Sequence, residues 1–142
     1  MRKRAIVLTA VVSLLALAGC GRKEPPVPMA VSAPPAIVSI KHDVHVNTLE
    51  LDMVLTGGGE GGVGYQIDRA PIDPYCNCPG FWRRYREVPA QRALVGANTK
   101  VLIDLRGGTI AYAFRIRAVD AIGRLGPWSG IIRARSSLNV PE

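Results

Sequence analysis

Cys76 and Cys78 stand one residue apart in the stretch Pro74-Tyr75-Cys76-Asn77-Cys78-Pro79-Gly80-Phe81-Trp82-Arg83-Arg84-Tyr85. Three kinds of chemistry fit two thiols so placed. The first is a local disulfide, which closes a very small loop, adds little stability and, if strained and exposed, is readily reduced. The second is a soft-metal site for copper or zinc, although two thiolates are too few for a closed zinc centre. His42 and His45 are the only histidines, and nothing in the sequence brings them near the thiols. The third is thiol redox catalysis, but the usual motif has two residues between its cysteines and lies in a βαβ setting that this chain lacks. The flanking Phe81, Trp82 and Tyr85 read equally well as an exposed aromatic patch or as a cap on a sheet edge.

Other catalytic groupings find no support. No serine has a matching histidine and acid, and Asp43, Asp68, Asp73, Asp104 and Asp120 are scattered without a pairing motif. His42 and His45 precede a strand pattern and, three apart on a strand, point to opposite faces. The run Gly57 to Gly62 leads into a strand pattern, whereas a phosphate-cradling loop leads into a helix. It is therefore expected to be a hairpin connection. The expectation is a non-enzymatic chain with no cofactor and no resident metal.

The third cysteine, Cys20, belongs to a different context. Arg2, Lys3 and Arg4 precede an uncharged run from Ala5 to Ala18, closed by Leu17-Ala18-Gly19-Cys20. A basic start, a short apolar stretch and a small-residue end describe a secretory signal peptide. The run is shorter than the roughly 20 residues that span a bilayer. Ending on cysteine, the segment resembles a bacterial lipobox. The resemblance implies cleavage after residue 19, a diacylglycerol on the Cys20 thiol and acylation (palmitate) of its amine. Gly21, rather than Asp, follows the cysteine, which in the same logic implies the outer membrane, facing the periplasm.

Removing Arg2, Lys3 and Arg4 lowers the formal charge from +7 to +4. That balance suits anionic surfaces and falls short of a nucleic-acid footprint, and export makes nucleic acid an unexpected partner. With Cys20 lipidated, Cys76 and Cys78 are an even pair in a compartment where disulfides persist. Residues 20–34 contain Pro25, Pro26, Pro28 and Pro34 and read as a tether with polyproline II bias, reaching roughly 45 Å if fully extended.

Beyond Pro35 the period is two. Leu49, Leu51, Met53 and Leu55 alternate with Glu50, Asp52 and Val54. The same alternation recurs at Tyr65 and Ile67, at Val101, Ile103 and Leu105, at Tyr112 to Val119, and at Ile132 to Arg135, with an earlier run at Ala36 to Ile40. Short strands separated by glycine turns, with no competing helix, predict an all-β sandwich or barrel.

The stretch from Leu105 through Arg106-Gly107-Gly108-Thr109-Ile110-Ala111 to Tyr112-Ala113-Phe114-Arg115-Ile116-Arg117-Ala118-Val119-Asp120 resembles the penultimate strand region of fibronectin type III domains. Gly123, Pro127, Trp128 and Ser129 resemble the connection into that family's last strand, Tyr65 its third-strand tyrosine, and Leu49 and Leu51 its second strand. Met53 stands where the family carries a core tryptophan, and residues 71–100 match no family element. The resemblance implies one immunoglobulin-like, fibronectin type III-like β-sandwich over residues 35–137, after a signal peptide (1–19) and a proline-rich linker (20–34), with a tail at 138–142. It also implies a tyrosine-corner role for Tyr112 and core roles for Ile103, Leu105, Phe114 and Ile116.

Pairing of the last two strands as in that family places Arg115, Arg117, Arg133 and Arg135 on one outer face, with Trp128 stacked on Arg115 or Arg117 and Asp68 neutralising one arginine. This face is either a solvated surface stiffened by stacking or a binding face for an acidic envelope protein or an anionic envelope polymer. The sequence is thus expected to encode a lipid-anchored envelope lipoprotein, held on a membrane and acting as a non-catalytic binding or scaffolding module. The alternative is a redox or metal-handling lipoprotein using Cys76 and Cys78.

Overall fold

Leu49, Leu51, Met53 and Leu55 all lie fully buried along one side of β2 (Thr48–Thr56). The computed structural model describes residues 32–106 and 109–137. The signal segment, Cys20, most of the tether, Gly107, Gly108 and the 138–142 tail lie outside the described residues. The remaining strands are β1 (Ala36–His45), β3 (Val63–Pro71), β4 (Arg83–Gln91), β5 (Asn98–Asp104), β6 (Ala111–Asp120) and β7 (Ile132–Arg135).

These strands form two antiparallel sheets, one ordered β1-β2-β5 and the other β4-β3-β6-β7. The sheets pack as a sandwich. Its interior takes every second residue of the central strands: the β2 residues above, Val63, Tyr65 and Ile67 of β3, and Phe114, Ile116 and Ala118 of β6. Such alternation buries one apolar row per strand and leaves the polar row outside. Met53 is fully buried, a flexible side chain filling core space. Leu105 is buried just beyond β5, its N–H donating to the Asn47 carbonyl at 2.7 Å.

The glycine run departs from its expected role. β2 and β3 belong to different sheets, so residues 57–62 carry the chain across the sandwich instead of closing a hairpin. Gly57, Gly58, Gly59 and Gly62 have φ between +59° and +85°, where residues with a Cβ are strained. The consecutive strands that pair are β1–β2, β3–β4 and β6–β7. β4, unforeseen in the sequence, occupies part of the segment that matched no family element.

The sandwich has two distinct poles. Val63 pairs with Asp120 at one, and Pro71 with Tyr112 at the other, about 26 Å apart at ~3.3 Å per strand residue. Ser32 and Ala33 sit at the first pole. The Ala33 carbonyl accepts from Gly58 N–H at 3.2 Å, and Arg124 donates to the Ser32 carbonyl at 3.0 Å and to its hydroxyl at 2.6 Å. The second pole carries the β1–β2 turn, the 72–82 loop and the end of β7, where Ser137 N–H donates to the Val46 carbonyl at 2.8 Å.

Candidate functional site

On β6 the odd-numbered residues face outward, and the register sets Arg115 opposite Asp68 and Arg117 opposite Gln66 of β3. Residues 126–129 run beside β6. Gly126 N–H donates to the Ala118 carbonyl at 2.9 Å, Ser129 N–H donates to the Ile116 carbonyl at 2.7 Å, and Ile116 N–H donates to Ser129 Oγ at 3.0 Å. This pairing places Trp128 on the outer face. Its ring centroid lies 4.2 Å from the guanidinium carbons of both Arg115 and Arg117, and Trp82 lies 4.5 Å from Arg115. The result is an alternating ladder, Trp82, Arg115, Trp128, Arg117. Each contact is worth about 0.5–1 kcal/mol where exposed and about 2 where water is excluded.

A polar network lies beneath the ladder. Asp68, only 6% exposed, accepts from Arg84 Nε at 2.6 Å and from Arg115 at 3.2 Å. Gln66 accepts from Arg117 Nε at 2.9 Å and donates to Glu87 at 3.1 Å, and Glu87 also accepts from Arg84 at 2.8 Å. Ala70 and Ala113 on the same face are fully buried. The outer face of this sheet is therefore a second packed layer, built from charge and π surface. Arg115 and Arg117 are committed to it.

Arg133 and Arg135 share the face, opposite Ala113 and Ala111, but stand apart from the ladder. Arg135 donates to the Thr109 carbonyl at 3.1 Å. Among the described residues, Arg133 and Arg83 have no carboxylate partner, and both are exposed.

The aromatic residues around the cysteines divide three ways. Trp82 joins the ladder. Tyr85 packs edge-on against Phe114, ring centroids 6.3 Å apart, and Arg69 lies over both Tyr85 and Tyr112 at 4.9 and 4.7 Å. Phe81 is 89% exposed and Tyr75 97%. The turn upstream of Tyr112, to which its corner role refers, includes Gly107 and Gly108, outside the described residues; the Tyr112 ring lies against the Arg69 guanidinium at the end of the core.

Cys76 and Cys78 stand at disulfide distance, with Cα atoms 5.2 Å apart. The loop holding them is tightly organised. Asp73 Oδ1 accepts from Tyr75 N–H at 2.8 Å and Cys76 N–H at 3.3 Å, an Asx turn. Asp73 N–H donates to the Cys78 carbonyl at 3.0 Å, Asn77 N–H to the Asp73 carbonyl at 2.9 Å, and Gly80 N–H to the Pro71 carbonyl at 2.8 Å.

His45 lies 3.4 Å from Asp43 on the exposed β1 edge, and His42, three residues earlier on the same strand, pairs with Leu51. Among the described residues no group of three His, Cys, Asp or Glu is placed to hold a metal ion, and no helix is long and apolar enough to cross a membrane. A cleft of about 150 Å³ lies between β1 and Pro127–Gly130.

No family model, no curated protein and no solved structure matches this chain. The roles of its residues accordingly rest on their geometry.

Trp128, Arg115, Arg117 and Asp68 were legible in the sequence as members of this face; Trp82, legible there only as part of a patch or an edge cap, proves to be a rung, and Gln66, Arg84 and Glu87 were not legible as members. Alternation in Arg83–Gln91 is interrupted by register shifts in the β3–β4 pairing, which hid the strand that carries two of them. Gln66 did leave a signal, as a polar residue opposite an arginine.

Proposed function

We propose that this chain is a lipid-anchored envelope protein, attached through Cys20, whose fibronectin type III-like domain displays a non-catalytic binding surface at the pole farthest from its tether. The family reading draws on the strand order, three against four, and on the Trp128-Ser129 element bonded to β6. The lipid anchor draws on the Leu17-Ala18-Gly19-Cys20 motif.

One observation carries the binding reading. The chain joins the domain at Ser32, latched by Arg124, while the organised 72–82 loop with its two exposed rings lies at the opposite end of β3. A domain tethered at one pole and carrying fixed, exposed aromatic side chains at the other is arranged to present them away from its anchor. The stacked arginine layer acts as the rigid platform behind that loop, and an envelope protein or anionic envelope polymer is the class of partner the cationic surroundings favour.

Metabolic labelling with a palmitate analogue tests the anchor. The native chain is expected to take up label and fractionate with membranes, and Cys20→Ala to do neither. Equal labelling of both chains sinks the anchor reading. In-cell crosslinking of the native chain tests binding, and a chain that crosslinks to nothing in the envelope counts against a binding module.

A further inference from the structure

The 72–82 loop contains two large apolar side chains with almost no burial, Tyr75 and Phe81. Scattered exposed apolar residues are ordinary. These two differ because their backbone is held. An Asx turn, three further backbone hydrogen bonds, the Ile72–Pro79 bridge and the Cys76–Cys78 link fix a loop of about ten residues. Its base is continuous with the ladder, since Phe81 precedes Trp82, which stacks on Arg115. Little of this holds the sandwich together. What it does is set the positions of two aromatic rings in solvent.

Fixed aromatic side chains are efficient anchors for a protein partner. They present large area with few rotamers to freeze, and a rigid loop has no ordering cost left to meet on binding. Tyr and Arg are also the residue types that dominate interface energetics. Arg83 and Arg133 have no carboxylate partner among the described residues, and Asp73, the acid within the loop, is occupied by backbone amides. The surroundings call for negative charge on the other side.

Fixed spacing favours a shaped partner over a fluid one. A bilayer interface accepts mobile rings at any spacing and rewards a continuous apolar face, whereas here Asn77 and Pro79 separate the two rings. A polyanion would use the arginines and leave the rings idle.

We propose that Tyr75 and Phe81, with Arg83 beside them, form a docking site for an acidic protein surface that carries apolar pockets for the two rings. The site rests on the binding reading above and names its surface and the chemistry of its partner.

The test uses the full-length chain in cells, with a photo-crosslinking amino acid at Tyr75, at Phe81 or, as control, at Leu102, which is exposed on the outer face of the other sheet. The expected result is one and the same protein captured from Tyr75 and Phe81 and not from Leu102, with acidic residues flanking the crosslinked peptide. Binding of that purified partner to the native chain is expected to weaken at least tenfold on Tyr75→Ala and on Arg83→Glu, with melting temperature unchanged, and to weaken with salt. Capture of lipid or glycan, equal capture from Leu102, no capture, or affinity indifferent to Tyr75→Ala overturns the site. A protein captured from Leu102 alone overturns the site, and with it the placement of the binding surface at this pole, while leaving a binding function standing. Palmitate labelling of the same cells reads the anchor independently of either.

Discussion

The Arg115 guanidinium stands 4.5 Å from the Trp82 ring, and this contact ties the 72–82 loop to the centre of the four-stranded sheet. Trp82→Ala removes one rung of the ladder and uncovers the ring's half-buried area, a combined loss of about 1–2 kcal/mol. Urea denaturation should show it. A double-mutant cycle with Arg115→Ala should return a coupling of about 0.5–1 kcal/mol, and additivity of the two changes would remove the ladder as a stabilising unit.

Asp68 is the shared acceptor of Arg84 and Arg115. Asp68→Asn keeps its shape and removes its charge, leaving Arg115 without its carboxylate and Arg84 with Glu87 alone. The expected cost is about 2 kcal/mol, below that of a fully buried pair because both arginines are partly exposed. Thermal unfolding of the variant beside the native chain measures it.

Asp120 is buried at the pole of Ser32 and bound to Arg124 at 2.5 Å. Burial pushes its carboxyl upward, but the Arg124 side-chain bond, the Arg124 amide, the Arg124 charge and the Ile122 amide outweigh it, so the carboxyl is held below the usual carboxylate range. A depressed folded-state value means that the stabilisation is fully present above the unfolded-state value of about 3.9 and is lost as pH falls through the folded-state value. Stability measured from pH 7 downward should therefore hold until about pH 4 as far as this group is concerned, then fall. Asp120→Asn should lower stability at pH 7 by about 1–3 kcal/mol and flatten the acid limb. An unaltered acid limb would contradict the assignment.

Val46 occupies the β1–β2 turn at φ 58°, a region disfavoured for a β-branched residue. Val46→Gly relieves the strain against a smaller loss of chain entropy, with a net gain of about 0.5–1 kcal/mol. Its side chain is 54% exposed, so little packing is forfeited. A fall in melting temperature would show that the turn is not strained.

Cys76→Ser with Cys78→Ser opens a loop of three residues. Chain-entropy arithmetic puts the global loss at no more than about 1.6 kcal/mol. The larger effect should be local: hydrogen exchange should speed up at the Asp73, Asn77 and Gly80 amides while core amides keep their protection. A loss of function without any change in partner binding would favour the redox or metal-handling alternative.

Much of the architecture was legible because burial on one face writes itself as period two. Leu49 to Leu55 and Tyr112 to Ala118 needed no partner to be recognised as strands. β4 was not legible, since register shifts in its pairing break its alternation. The glycine run was legible as a turn, but whether a turn stays in its sheet or crosses to the other depends on which strands pair, a long-range matter. Tyr112 was recognised as structural, yet its neighbour proved to be the Arg69 guanidinium, supplied by a different strand.

Two features of this protein are determined by the sequence alone: the strand pattern with its apolar rows, and the Leu-Ala-Gly-Cys motif on which the anchor reading depends. Both are local, set by the types and spacing of adjacent residues. Tertiary structure decided what became of the arginines. Arg115 became the rung between Trp82 and Trp128, and Arg117 the rung beyond Trp128, because strand register and the 72–82 loop brought residues 11 to 33 positions apart into stacking distance. Among the described residues Arg83 and Arg133 were left without carboxylate partners, and Tyr75 and Phe81 without cover. Stacking and ion pairing act over a few ångströms, so only the folded chain settles which charges are consumed and which remain for a partner.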